Sequence, residues 1–183
     1  MKTLLLLALC LSTASAFAAR QVVLETPVTY SSDASVVDQV KTECKIEDML
    51  TQQVGRVLSK MDKTGDGTTA SGSDANGADV LRLQITHVLG VGGGAWSGPK
   101  AITVSAELIE DGNVVRHTTI SRWSVGGVFG AFKGTCSILE RSATVIGRDL
   151  GRWVRDPRYE IKEEAPPTIA SEPQADSAAS DVK

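Results

Sequence analysis

The chain has 183 residues, 42% of them hydrophobic and only 4% aromatic, with a formal net charge of −3. That length suits one domain plus its ends. The mild acidity and the absence of any basic run exclude the electrostatic footprint of a nucleic-acid binder.

Residues 1–19 read as a secretory signal. Lys2 is the charged start, Leu4 to Leu11 the apolar centre, and Ala14-Ser15-Ala16 or Ala16-Phe17-Ala18 the small-residue exit. The apolar run is too short to span a bilayer. Cys10 raises the possibility of a lipid anchor, but Leu9 stands before it where a small residue is expected. The expectation is therefore a soluble, exported, periplasmic protein with no membrane span. Two cysteines remain after cleavage, Cys44 and Cys136. An even pair in an oxidising compartment predicts a disulfide.

Gln21 to Tyr30 is β-branched and apolar and predicts a first strand, with Pro27 at an edge or at its end. A helix is expected over 36–61. Val36, Val40, Cys44, Met49, Val54, Leu58 and Met61 recur at helical spacing and form one apolar stripe. Residues 62–78 are rich in Gly, Ser, Thr and Asp and read as a long polar loop. Strands are predicted over 78–89, 101–110 and 114–125, the last with a less clear alternation. Asp111-Gly112-Asn113 marks a tight turn between two of them. A second helix spans 135–154 and stops before Pro157. The predicted fold is α+β, in the order β-α-β-β-β-α: a four-stranded mixed sheet with two helices on one face. The first two strands are parallel across the helical crossover. Residues 20–156 form this domain, and 157–183 are expected to be a disordered tail.

Two glycine stretches interrupt the elements. Gly90 to Lys100 includes Trp96, and Gly126 to Gly134 includes Phe129, Phe132 and Lys133. The strand order puts both at the same end, above the expected bridge from Cys44 to Cys136. Most of the aromatic rings gather there, which suits a contact surface or a local core. Trp96, Lys100, Phe129, Phe132 and Lys133 are the candidate binding residues.

Other chemistry is weaker. Gly90-x-Gly92-x-x-Ala95 follows a strand but precedes Pro99 and another strand, so it lacks the helix a dinucleotide site needs. The Lys-Gly-Thr at 133–135 lacks the preceding glycine of a phosphate loop. Asp62 to Gly67 resembles half of an EF-hand, yet Thr69 and Ser73 stand where an apolar residue and a bidentate Glu belong. A weak calcium response of residues 62–74 is one alternative. A hydrolase with an unrecognised site is another. His87 and His117 fall inside predicted strands with no cluster of further ligands. No catalytic residue, metal site or cofactor is expected.

The run Gly92-Gly93-Gly94-Ala95-Trp96-Ser97-Gly98-Pro99-Lys100, the Asp111-Gly112 hairpin and Gly130-Ala131-Phe132-Lys133-Gly134-Thr135-Cys136 carry a resemblance. They resemble an uncharacterised family of small proteobacterial exported proteins, similar in layout to envelope lipoproteins of unknown function. More distantly, the layout is similar to the strand–helix–three-strand–helix domains of the curli-secretion lipoprotein and the Tol system's periplasmic protein. The resemblance spans residues 21–154 and implies a periplasmic, non-enzymatic interaction domain. Its partner is an unknown envelope protein or a second copy of the chain. It brings no catalytic residues.

Overall fold

A computed structural model describes residues 20–63, 67–72, 75, 77–90, 99–125 and 134–165. In chain order the elements are β1 (Val22–Thr26), β2 (Thr29–Ser35), α1 (Asp38–Cys44), α2 (Ile46–Asp62), β3 (Thr68–Ala70), β4 (Asp79–Leu89), β5 (Lys100–Glu110), β6 (Asn113–Ser124) and α3 (Thr135–Arg155). The fold is α+β, with three helices and one mixed six-stranded sheet among the described residues, in the order β3-β1-β4-β5-β6, and β2 also paired to β4. The expected four strands and two helices are thus too few, and each difference has a local cause.

The first strand divides at Pro27, which has no N–H to give the ladder. Both halves lie parallel to β4: Val22 faces Asp79 and Leu24 faces Leu81, then Thr29 faces Gln84 and Tyr30 faces Ile85. The parallel crossover is as predicted. The first helix divides at Lys45, whose backbone is left-handed at φ 45° and ψ 61°. Lys45 ends α1 by donating its N–H to the Lys41 carbonyl. The apolar stripe continues through the break, so Val40, Cys44, Ile46, Leu50, Val54 and Leu58 are all buried. The polar stretch 62–78 holds β3, which pairs parallel to β1 with Leu24 opposite Thr68. Gly67 enters β3 at φ +66°, and a Cβ there would sit 2.4 Å from the Gly55 carbonyl oxygen. Only glycine lets the backbone pass α2 so closely.

The strands β4, β5 and β6 form an antiparallel meander. Asp111 and Gly112 both take positive φ, 49° and 80°, which suits a two-residue hairpin turn. Alternation along β4 and β5 sends Leu81, Leu83, Ile85, Ile102, Val104, Ala106 and Leu108 under the helices, where they meet Leu139, Ala143, Ile146, Leu150 and Trp153 of α3. Each Leu, Ile or Val among them contributes about 1.5–3 kcal/mol on burial. The other face is polar. There Arg82 pairs with Glu25 and, at 3.5 Å, with Glu107.

The strand β6 has an unclear pattern because its helix-facing positions include two arginines. Arg122 Nε donates to Asp149 at 2.7 Å, a pair with side-chain exposures of 9% and 12%. Arg116 donates to the Trp153 carbonyl and stacks 4.4 Å from the Trp153 ring centroid. The chain after α3 then runs back along β6. Arg122 also donates to the Lys162 carbonyl at 3.1 Å, and the Trp123 N–H donates to Glu164 at 3.3 Å. Tyr159 and Ile161 pack on the core. The first part of the expected tail, 157–165, is therefore a strap against the sheet. Residues 166–183 and the expected signal lie outside the described residues.

Candidate functional site

The register places the bases of the two glycine stretches side by side. Leu89 of β4 faces Ala101 of β5, which faces Trp123 of β6. The first stretch leaves β4 at Gly90 and returns at Pro99. The second leaves β6 at Val125 and returns at Gly134. Both therefore open from one end of the sheet, on either side of β5.

The short helix α1 secures both bases. A Cβ on Gly90 would lie 2.5 Å from a Val40 methyl, so the glycine allows α1 to rest on the first base. Cys44, at the end of α1, is disulfide-bonded to Cys136 in the first turn of α3, with 5.0 Å between their Cα atoms. The predicted bridge is present, beside the return of the second stretch.

Trp96, Phe129, Phe132 and Lys133 lie outside the described residues. Lys100 is described, opposite Ser124 at the start of β5. It is 0% exposed, and desolvation pushes its ammonium pKa down. Among the candidate residues it sits at the base of the two stretches, below the surface.

Several polar arrangements depend on tertiary structure and were not legible by motif. Ser105 Oγ and His117 Nε2 are 3.0 Å apart on the open sheet face. The hairpin register makes them diagonal neighbours, because Ser105 faces Thr119 and Glu107 faces His117. Counting back from the Asp111-Gly112 turn would have found them. Tyr30 donates to Glu47 at 3.2 Å, and its phenol pKa is raised first by burial and then by that carboxylate. The Arg82 guanidinium holds the Glu25 carboxyl below its usual range. Asp62, the first residue of the calcium-like stretch, accepts the Val22 N–H at 2.8 Å and so ties α2 to β1. Residues 64–66 and 73–74 of that stretch lie outside the described residues. Among the described residues, no group of three or more His, Cys, Asp or Glu is arranged to hold a metal. No described helix is long and apolar enough to cross a membrane.

Two concavities lie toward the helix C-termini, away from the glycine stretches. One, of about 600 Å³, is lined by Arg20, Asp62, Asp79, Glu110 and Arg155 among others. Arg20 spans its rim, 3.2 Å from Asp79 and 3.0 Å from Asp111. The other, of about 400 Å³, runs between α2 and α3 over Val57, Met61, Gly151 and Tyr159, with Arg148, Arg152 and Arg155 along one side.

No family model matches the chain, and no curated protein matches it. Solved structures do. A minor lipoprotein of Acinetobacter baumannii matches at 15% identity and a TM-score of 0.43, over 74% of this chain and 90% of that one. A PelC dodecamer from Paraburkholderia phytofirmans matches at 15% identity and 0.42, over 70% and 86%. A Xanthomonas campestris protein of the DUF330 family matches at 17% identity and 0.41, over 74% and 83%. At these identities and scores the likeness is one of broad outline, and no residue role transfers.

Proposed function

We propose that the chain is a non-enzymatic binding or scaffolding domain of the bacterial periplasm, delivered by a cleaved signal. Its contact surface is the end bearing the two glycine stretches, with Trp96, Phe129 and Phe132 as anchors and Lys133 beside them, while Lys100, expected among the binding residues, is buried at the base and is not part of that surface. One observation supports this above all. Both stretches open from one end of the sheet, and α1 secures both bases, through Val40 at Gly90 and through the Cys44–Cys136 bridge. A rigid base lowers the ordering cost of glycine-rich segments when they engage a partner. The partner is another envelope protein or a second copy of this chain.

The test replaces Trp96, Phe129 and Phe132 with Ala, singly and together. Self-association is measured by sedimentation, and contacts with envelope proteins by a photo-crosslinker placed at Ser97. The expected result is loss of association or crosslinks with a melting temperature within about 3 °C of the parent, a shift of less than roughly 1 kcal/mol. A large fall in melting temperature with contacts unchanged assigns the rings to a local core and ends the proposal.

A second reading, a hydrolase, rests on the Ser105–His117 hydrogen bond. Ester turnover that is equal in the parent and in Ser105→Ala disposes of it.

A further inference from the structure

The arginines of α3 are arranged in a way that helix stability does not explain. Arg141, Arg148, Arg152 and Arg155 fall within roughly 60° of arc and extend about 21 Å along the axis. All four are exposed, as are Arg56 and Lys60 of α2. Among the described residues, none of the six side chains forms an ion pair or a hydrogen bond. Cations in a last turn complement the helix dipole, but that effect fades beyond one turn. It accounts for Arg152 and Arg155, the basic residues of the last turn of α3. It leaves Arg141, Arg148 and Arg56 without a role. The cluster also opposes the sign of the whole chain, whose formal charge is −3.

Beneath this row lies the groove of about 400 Å³ between α2 and α3. Its depth comes from close helix contact. A Cβ on Gly151 would be 2.5 Å from a Val57 methyl, and one on Gly147 would be 3.1 Å from the Gln53 carbonyl oxygen. The floor is Val57, Met61 and Tyr159, and the guanidinium row stands at its side. Asp156, the acidic residue on the groove, accepts the Arg158 N–H at 2.9 Å.

We propose that this outer face of the helix layer is a peripheral docking surface for an anionic bilayer. A lipid phosphate is taken by Arg148, Arg152 and Arg155, with the adjoining glycerol and upper acyl carbons over Val57 and Met61. Three features favour a lipid over an acidic peptide. Guanidinium forks match phosphate oxygens in pairs. The apolar floor suits an amphiphile. A helix face has its backbone groups already bonded and offers an extended peptide no ladder. The remaining cations, Arg56, Lys60 and Arg141, spread the positive field wider than one headgroup, as a charged surface requires. Docking by the C-terminal halves of α2 and α3 leaves the glycine-stretch end at the other end of these helices. The inference goes beyond the proposed function and stands or falls separately from it.

The experiment floats the full chain on phosphatidylcholine vesicles, with and without about 30% phosphatidylglycerol. Binding is expected to the anionic vesicles alone and to be lost at high salt. The triple variant Arg148→Glu, Arg152→Glu, Arg155→Glu is expected to bind about 100-fold more weakly. Arg56→Glu with Lys60→Glu, on the other helix, is expected to weaken binding about tenfold or more. Lys162→Glu, on the strap, leaves it unchanged. Absence of binding to anionic vesicles overturns the proposal, as does equal binding to neutral ones. Titration with inorganic phosphate separates the sources. Saturable binding of phosphate without vesicle binding makes this a soluble-anion site and refutes the membrane reading.

Discussion

The two ends of the sheet are held by different physics. At the glycine-stretch end, α1 is fixed covalently to α3 by Cys44–Cys136 and sterically to Gly90 by Val40. At the opposite end the ties are charges: Arg20 to Asp79 and Asp111, and the Asp62 carboxylate to the Val22 N–H. A disulfide constrains the unfolded chain regardless of salt, whereas ties made by a half-exposed guanidinium such as that of Arg20 are screened and contribute less. The durable tie therefore stands where two glycine-rich segments must be carried. The opposite end is left to weaker, salt-dependent contacts.

The largest expected effect comes from the covalent end. Replacing Cys44 and Cys136 with Ala is expected to lower stability by about 4–5 kcal/mol, read by urea unfolding. Hydrogen exchange in that variant should rise first at residues 38–44 and 135–139. A rise first at 20–26 would reverse the comparison. Next is the buried pair between the two ends. Arg122→Ala strands Asp149 and is expected to cost about 3–5 kcal/mol, while Arg122→Met with Asp149→Leu recovers most of it. Gly151→Ala pushes a methyl into Val57 and is expected to cost about 1–3 kcal/mol by thermal melting. Arg20→Ala, at the charge-held end, takes a half-exposed guanidinium from the buried Asp79 carboxylate and is expected to cost about 1 kcal/mol at low salt and less in molar salt.

The smallest effect is on pH dependence. The Glu25 carboxyl is held low by Arg82, so its contribution is present above the unfolded value and is lost as pH falls through the lowered folded value. Tyr30 is shifted the other way, upward, so its contribution is present below the unfolded value near about 10 and is lost as pH rises above it. Arg82→Gln should flatten the acid limb of a stability profile and leave the alkaline limb intact. Tyr30→Phe should do the reverse.

Much of this was legible in the residues themselves. Leu81, Leu83 and Ile85 alternate with Arg82, Gln84 and Thr86, and the structure buries the first set. Asp111-Gly112 announced its hairpin, and the parity of cysteines announced the bridge. What stayed hidden has a common cause. Lys45 is a left-handed break that no glycine or proline advertises. Thr68-Thr69-Ala70 becomes a strand only because β1 offers an unpaired edge. Tyr159 and Ile161 are too few to signal a strap. Arg122 on β6 disguised a buried face, since its charge is neutralised by a partner 27 positions away. The α3 arginine row was readable from spacing, but the groove beside it was not. That groove exists because Gly147 and Gly151 let α2 approach.

By itself the sequence determined periodicity and parity: which strands alternate, which helix face is apolar, which cysteines pair, and that two glycine-rich stretches share one end. Those are local or additive properties, carried by each residue's own chemistry. Only the tertiary structure decided that α1 clamps both bases, that Lys100 is buried between them, and that Arg122 and the Arg148–Arg155 row take opposite roles. The physical reason is that a glycine contact, a buried charge or an unsatisfied guanidinium is defined by its neighbour, and the neighbour is supplied by the fold.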